Sequence, residues 1–217
     1  YRISLVLRRM TDLGKLDDVA PEIANEKEKS ALSAIRYAPK RVTLPPNQPQ
    51  SIRLGLQGTE TLPDGEYRAH LLFQAIPKPR DASKDAAVGN EIKIQLIPIY
   101  GISIPIIIRK GSLKATAAIA NARIGNHLEG PALIFDLQRQ GDKSVFGEVH
   151  VTKPGEKEPV VVAKAIAVYP ELGSRQVVLD LDPADLAKLK GSEAVISYYE
   201  ASEAGGGLIT QLRTVLK

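Results

Sequence analysis

The feature that most constrains this chain is an alternation of polar and apolar side chains with a period of two residues. Segments 51–57 (SIRLGLQ) and 91–96 (EIKIQL) show it clearly, and similar segments recur from 113 to 216, among them 145–152 (VFGEVHVT). Successive side chains of a β-strand point to opposite faces, so this pattern predicts half-buried strands. Turn-forming residues separate the segments, for example at 130–131, 141–142 and 154–155. Many short strands with such turns predict an all-β protein built as β-sandwiches.

The composition excludes several kinds of chemistry. The 217-residue chain has no cysteine, which rules out disulfides, thiol catalysis and Cys-zinc sites. Its three histidines, His70, His127 and His150, are far apart in sequence, so we expect no multi-histidine metal site. The chain contains neither a nucleophile elbow nor a phosphate-binding loop. We therefore expect a protein that is not an enzyme and needs no metal or cofactor.

The charge pattern gives no indication of nucleic-acid binding or of a membrane span. The formal net charge is +4, and the basic residues occur as scattered pairs without interleaved aromatic residues. A nucleic-acid surface would need a denser basic stripe. No apolar run reaches the ~18 residues of a membrane-spanning helix.

The chain divides in sequence near 110–112, where a long apolar segment ends in a basic, glycine-containing joint. We expect two domains, 1–110 and 111–217. A short helix is predicted after Asp182, which can cap it, with Pro183 in the first turn. The charged stretch 17–30 is interpreted as an exposed loop, with a helical turn as the alternative, and 77–90 as a second polar loop. The chain opens at Tyr1, inside a strand-like segment and without an initiator Met, so we expect a preceding N-terminal part.

The Ile-rich stretch 92–108 admits two interpretations. As a central strand it would simply form core. As an edge strand it would leave an apolar row for a partner to cover, because an unprotected edge of this kind invites pairing with another chain. The sequence leaves both interpretations open.

Several motifs, in this order, resemble those of the periplasmic chaperones that assemble pili and fimbriae. They are IRYAPKRVTLPP at 35–46, QSIRL at 50–54, LPDGEYR at 62–68, IPIIIR at 104–109, AIAVYP at 165–170 and QVVL at 176–179. The resemblance extends over nearly the whole chain. It implies two immunoglobulin-like β-sandwiches arranged in an L, in the bacterial periplasm.

The resemblance also implies a mechanism, donor-strand complementation. Such a chaperone lends an exposed strand to a pilin or fimbrial subunit that lacks its last strand, and delivers the subunit to an outer-membrane usher. On this chain the strand residues with the needed parity are Ile92, Ile94, Leu96, Pro98 and Tyr100. The alternative is a secreted immunoglobulin-like binding or structural module with no chaperone role. A homodimer in which the free protein caps its own edge stays open.

A buried charge cluster at the domain interface is a further expectation from the resemblance. Arg109 matches the arginine of the family and Glu66 its glutamate, and Glu200 is the first choice for a third carboxylate. The chain departs from the family elsewhere. The first strand of the family has no counterpart before Tyr1, and Pro105 stands where a lysine is expected. What anchors the subunit's terminal carboxylate is therefore left open.

Overall fold

The protein is described from a computed structural model, and the description is of residues 1–77, 96–128 and 130–217. Most of this part of the chain is β-strand, in antiparallel sheets with few helices. The expectation of an all-β protein is confirmed. The expected polar loop at 77–90 lies outside the described residues except for Pro77, as do Ile92 and Ile94.

The N-terminal half forms a four-stranded and a two-stranded sheet. The larger sheet has the strand order β2-β1-β5-β6, and the smaller one pairs β3 with β4. Strand β1 pairs with β5 so that Ile3 lies opposite Phe73 and Leu5 opposite Leu71. The strands are β1 (Arg2–Met10), β2 (Leu16–Val19), β3 (Ile35–Ala38), β4 (Arg53–Leu56), β5 (Gly65–Gln74) and β6 (Gly101–Lys110).

The C-terminal half also forms two sheets, with strand orders β10-β9-β12-β13 and β11-β8-β7. Both contribute to one buried apolar cluster, with Phe135 and Leu137 from β8 and Val149 and Ile196 from the other sheet. The strands are β7 (Ala115–His127), β8 (Gly130–Gly141), β9 (Val145–Thr152), β10 (Val161–Val168), β11 (Ser174–Asp180), β12 (Glu193–Glu200) and β13 (Leu208–Val215).

Two helices are specified by local capping signals. Helix α2 (Pro183–Leu189) begins after Asp182, whose carboxylate accepts a hydrogen bond from the amide of Asp185, as predicted. The stretch 17–30, interpreted as an exposed loop with a helical turn as the alternative, holds part of β2, the 3-10 turn Pro21–Ile23 and the start of α1 (Glu26–Ala34). A reciprocal capping box between Asn25 and Glu28 begins α1. Further 3-10 turns lie at Thr59–Thr61 and Ser202–Ala204.

The chain divides into two compact units. Unit 1 comprises Tyr1–Leu7, Val19–Leu62 and Tyr67–Ile108, and unit 2 comprises Arg8–Asp18, Pro63–Glu66 and Arg109–Lys217. Unit 2 therefore takes two segments that the sequence placed in the N-terminal domain. Hydrogen bonds give one reason: the amide of Met10 donates to Glu171, and the amide of Gln176 donates to the carbonyl of Asp12.

Each unit has its own apolar core. The core of unit 1 combines side chains of α1 and of four strands, including Leu7, Ala31, Ile35, Tyr67 and Ile108. The core of unit 2 is the larger cluster and centres on β8, β9 and β12. Among the described residues, no helix combines the length and apolar character needed to span a membrane.

Candidate functional site

Strand β6 is the candidate interaction surface of unit 1. It is the last strand in the order β2-β1-β5-β6, so one of its edges faces away from the sheet. Its sequence, GISIPIIIRK, carries no charge before Arg109. Pro105 lacks a backbone donor, which an edge strand tolerates. Natural proteins commonly protect an edge with charges, and this strand lacks them over most of its length.

The even-numbered side chains of β6 form one row that is buried at one end and exposed at the other. Ile108 is 8% exposed in the core of unit 1, and Ile106 packs against the same core. Because side chains of a strand alternate in direction, Ile102 and Ile104 share this face. They are nevertheless 65% and 47% exposed. We call these two residues the open row; they are the part of the inner face of β6 that the described residues of unit 1 leave exposed.

Strand β6 begins at Gly101, after the described residues of the expected donor strand. Leu96, Pro98 and Tyr100 lie in an irregular segment before β6, and Leu96 and Tyr100 are 89% and 73% exposed. Pairing with the neighbouring segment begins at Tyr100, whose carbonyl accepts a hydrogen bond from the amide of Ala75. Pro98 has no amide proton, so it cannot donate a backbone hydrogen bond that would extend the pairing of β6 toward the N-terminal side. Ile92 and Ile94 lie outside the described residues.

Sequence reasoning did not single out the open row. The signal was present, because Ile102 and Ile104 have the same parity as Leu96 and Tyr100. The sequence could not separate these isoleucines from Ile106 and Ile108, which are chemically the same and lie in the core.

A charge cluster holds the C-terminal end of β6. Arg109 Nε donates to Glu66 Oε2 at 3.0 Å, and Arg109 Nη2 donates to Ser144 Oγ at 3.2 Å. Glu66 Oε2 also accepts from the Ser144 amide at 3.0 Å and from Ser144 Oγ at 2.9 Å. The Glu66 side chain is 1% exposed and that of Arg109 is 47% exposed. The buried Oε2 of Glu66 thus accepts hydrogen bonds from three donors, and these bonds compensate for the hydration that this oxygen loses on burial.

The expected third carboxylate, Glu200, is not part of this cluster. It is exposed at the end of β12, where its amide donates to the carbonyl of Gly207, the last of three consecutive glycines (205–207) before β13. Ser144 takes the place that the resemblance gave to an acid. A neutral hydroxyl suffices there because half of the Arg109 side chain is in water. All of these residues, Glu66, Arg109, Ser144 and Glu200, belong to unit 2.

The described residues contain no group of three or more His, Asp or Glu side chains placed to hold a metal ion. His150 lies 3.0 Å from Glu148 and stacks obliquely on Tyr199, a pair rather than a ligand set. What the described chain offers instead is an uncharged strand edge with an apolar row beside it.

Comparison with known proteins found no matching family model, no matching curated protein and no matching solved structure.

Proposed function

We propose that this protein is a chaperone that lends strand β6 to an incomplete β-sheet of a partner protein. One observation carries the proposal. The inner face of an edge strand is packed at Ile106 and Ile108 and open at Ile102 and Ile104. A partner strand that pairs with this edge gains backbone hydrogen bonds and covers the open row.

The gain from covering the open row is substantial. Fully burying an isoleucine side chain contributes about 1.5–3 kcal/mol. Ile102 and Ile104 are each about half exposed or more, so both can contribute a large part of that. Leu96, Pro98 and Tyr100, with Ile92 and Ile94 before them, would continue the row into the partner.

The charge cluster fits the same function. Arg109 and Glu66 fix the last residues of β6, while its first half is left uncovered. A donor strand held at one end loses less conformational entropy on binding than a free peptide does.

The resemblance supplies the rest of the proposal. The partners would be pilin or fimbrial subunits and an outer-membrane usher, and the compartment would be the periplasm. The units would be immunoglobulin-like, arranged as in the pilus chaperones. The mechanism is non-enzymatic and uses no cofactor. The alternative, a secreted binding or structural module, is favoured by the core positions of Ile106 and Ile108, which show that half of the run is structural.

The test is co-expression in a bacterial periplasm with the pilin-like subunits encoded beside this protein, followed by pull-down. The variant carries Ile102→Asp and Ile104→Asp. Ile23→Asp is the matched control, since Ile23 is 66% exposed and lies in unit 1 but outside β6. We expect wild type and control to retain a subunit and the double variant to lose it.

Three results would contradict the proposal. The double variant could be folded and still retain the subunit, or no variant could retain any subunit. The double variant could also fail to fold, which would assign the open row to the core. Circular dichroism of each purified variant separates these cases.

A further inference from the structure

A second uncovered surface of unit 1 lies on the two-stranded sheet. Strand β3 pairs with β4 so that Ile35 lies opposite Leu56 and Tyr37 opposite Leu54. Directly opposite residues of an antiparallel pair share a face. Ile35 is in the core, yet Leu54 and Leu56 on the same face are 51% and 58% exposed. A two-stranded sheet is only marginally stable on its own. A further strand that covered its exposed apolar face would therefore stabilise it.

The backbone of β4 presents an open edge beside these leucines. Gln57 directly follows β4 and Ala34 directly precedes β3. The amide of Gln57 donates to the carbonyl of Ala34, so this amide points toward β3. Backbone groups alternate in direction along a strand. The amides of Leu54 and Leu56 therefore point away from β3, toward the side where the sheet of the described residues has no further strand.

The opposite face of β4 is basic. Arg53 lies opposite Ala38, and Arg36 lies opposite Gly55, so both arginines are on the face that the leucines do not use. Arg36 donates to the Gln57 side chain and to the carbonyl of its neighbour Ile35, and neither arginine pairs with a carboxylate of the described residues. The stretch 30–59 contains four basic residues and no Asp or Glu.

We propose that the edge of β4 receives a strand of a protein partner in which apolar and acidic side chains alternate. The apolar side chains of such a strand would cover Leu54 and Leu56. The acidic ones would lie on the other face beside Arg53, since opposite charges on neighbouring strands attract. Arg36 is on the same face one strand further, across Gly55, which has no side chain to separate them. The strand's backbone would pair with the free groups of Leu54 and Leu56. This site is separate from β6, and either proposal can fail without the other.

A strand fits these observations better than a membrane surface does. A membrane surface could contact the arginines with its headgroups and the leucines with its acyl chains only if these side chains were on one face. Here the arginines and the leucines are on opposite faces of the β3–β4 sheet. A lipid also offers no backbone groups for the amides of the edge.

The test uses the full chain and labelled peptides that alternate Val with Glu, Val with Lys, or Val with Gln. Binding is followed by fluorescence anisotropy, and amide exchange is followed by NMR with saturating peptide. We expect the Glu peptide to bind tightest. In that complex the amides of Leu54 and Leu56 should exchange more slowly, by about tenfold. The amide of Gly55, which points to β3, serves as the internal control and should not change.

The charge argument is tested by reversing one arginine. Arg53→Glu should weaken the Glu peptide about fivefold to tenfold and strengthen the Lys peptide. Lys164→Glu is the matched control, because it makes the same change of net charge on β10, an edge strand of unit 2. It should leave both peptides unaffected.

Any of three results would overturn the inference. The peptides could bind equally, Lys164→Glu could weaken binding as much as Arg53→Glu, or the Leu54 and Leu56 amides could stay unprotected. Displacement of the Glu peptide by phosphatidylglycerol vesicles, with no protection of those amides, would assign the surface to lipid instead.

Discussion

At the scale of residues, two Arg–Glu pairs of the same chemistry differ in their surroundings. Arg109 meets a Glu66 side chain that is 1% exposed, whereas Arg213 meets Glu193 at the surface, where their side chains are 61% and 45% exposed. The hydrogen bonds of Arg213 lower the pKa of Glu193 and raise its own. Such exposed pairs contribute little to stability, because water and salt screen them.

Because Glu66 is buried, the stability of the protein is sensitive to loss of its partner Arg109. Arg109→Ala leaves the Glu66 carboxylate buried without its cation. Removing one partner of a fully buried pair costs about 3–5 kcal/mol, and the half-exposed Arg109 side chain reduces our expectation to about 2 kcal/mol. Urea unfolding of unit 2 measures the difference. Arg213→Ala is the matched control, expected to leave the midpoint nearly unchanged; equal losses in both variants would contradict the argument.

At the scale of elements, strand β10 contains a bulge that accepts a hydrogen bond from a side chain of β12, which lies beyond β9 in the same sheet. The register with β9 shifts between Ala163 and Ile166, and Ala165 has a φ of 59°, in the left-handed region. Tyr198 on β12 is fully buried and donates its hydroxyl to the carbonyl of Ile166 at 2.8 Å. Burial raises the pKa of Tyr198 well above its usual value of 10.0, and the charge of Arg175 opposes that shift.

This raised pKa predicts an alkaline dependence of stability. In the unfolded chain Tyr198 ionises near its usual value, but in the folded protein it keeps its proton. Its contribution is therefore fully present below about pH 10 and declines as the pH rises further. Tyr198→Phe should cost about 1 kcal/mol at neutral pH through the lost hydrogen bond and should flatten the decline above pH 10.

Chemical unfolding at a series of pH values measures both effects. Tyr100→Phe serves as the control, because Tyr100 is 73% exposed and should change neither. A decline in Tyr198→Phe as steep as in wild type would refute the assignment.

At the scale of the whole molecule, the two units are packed to different degrees. The core of unit 2 is a large cluster of Leu, Ile, Val, Phe and Tyr side chains. Among the described residues, the core of unit 1 is smaller and rich in alanine, and Leu54 and Leu56 on β4 and Ile102 and Ile104 on β6 are exposed. The hydrophobic contribution to stability scales with apolar area removed from water, so unit 1 should be the less stable unit.

We therefore expect urea unfolding in two steps, with the amides of unit 1 losing protection first. Phe135→Ala, in the centre of the unit 2 core, should destabilise the second step by about 3–5 kcal/mol. Leu56→Ala, on exposed β4, should move neither step measurably. Native-state hydrogen exchange assigns each step to its unit. A single transition shared by all probes would contradict the prediction.

Local signals explain what could be predicted about the fold. Strand β9 was predicted with its observed bounds, since its alternation is set by its own residues. Helix α2 was predicted because the side chain of Asp182 caps it. Helix α1 was missed although its capping box, Asn25 with Glu28, is a sequence signal, because its charged start resembled a loop. Local interactions of a few residues determine elements of this kind.

The candidate site depends on more than local signals. The sequence by itself determined that β6 would be extended, apolar and uncharged up to Arg109, and that Arg109 would need acceptors. Only the tertiary structure decided that Ile108 is buried while Ile102 is open, and that Ser144 rather than Glu200 completes the cluster. The physical reason is that a side chain sets its own preference for water or core, whereas its burial depends on which distant segments reach it.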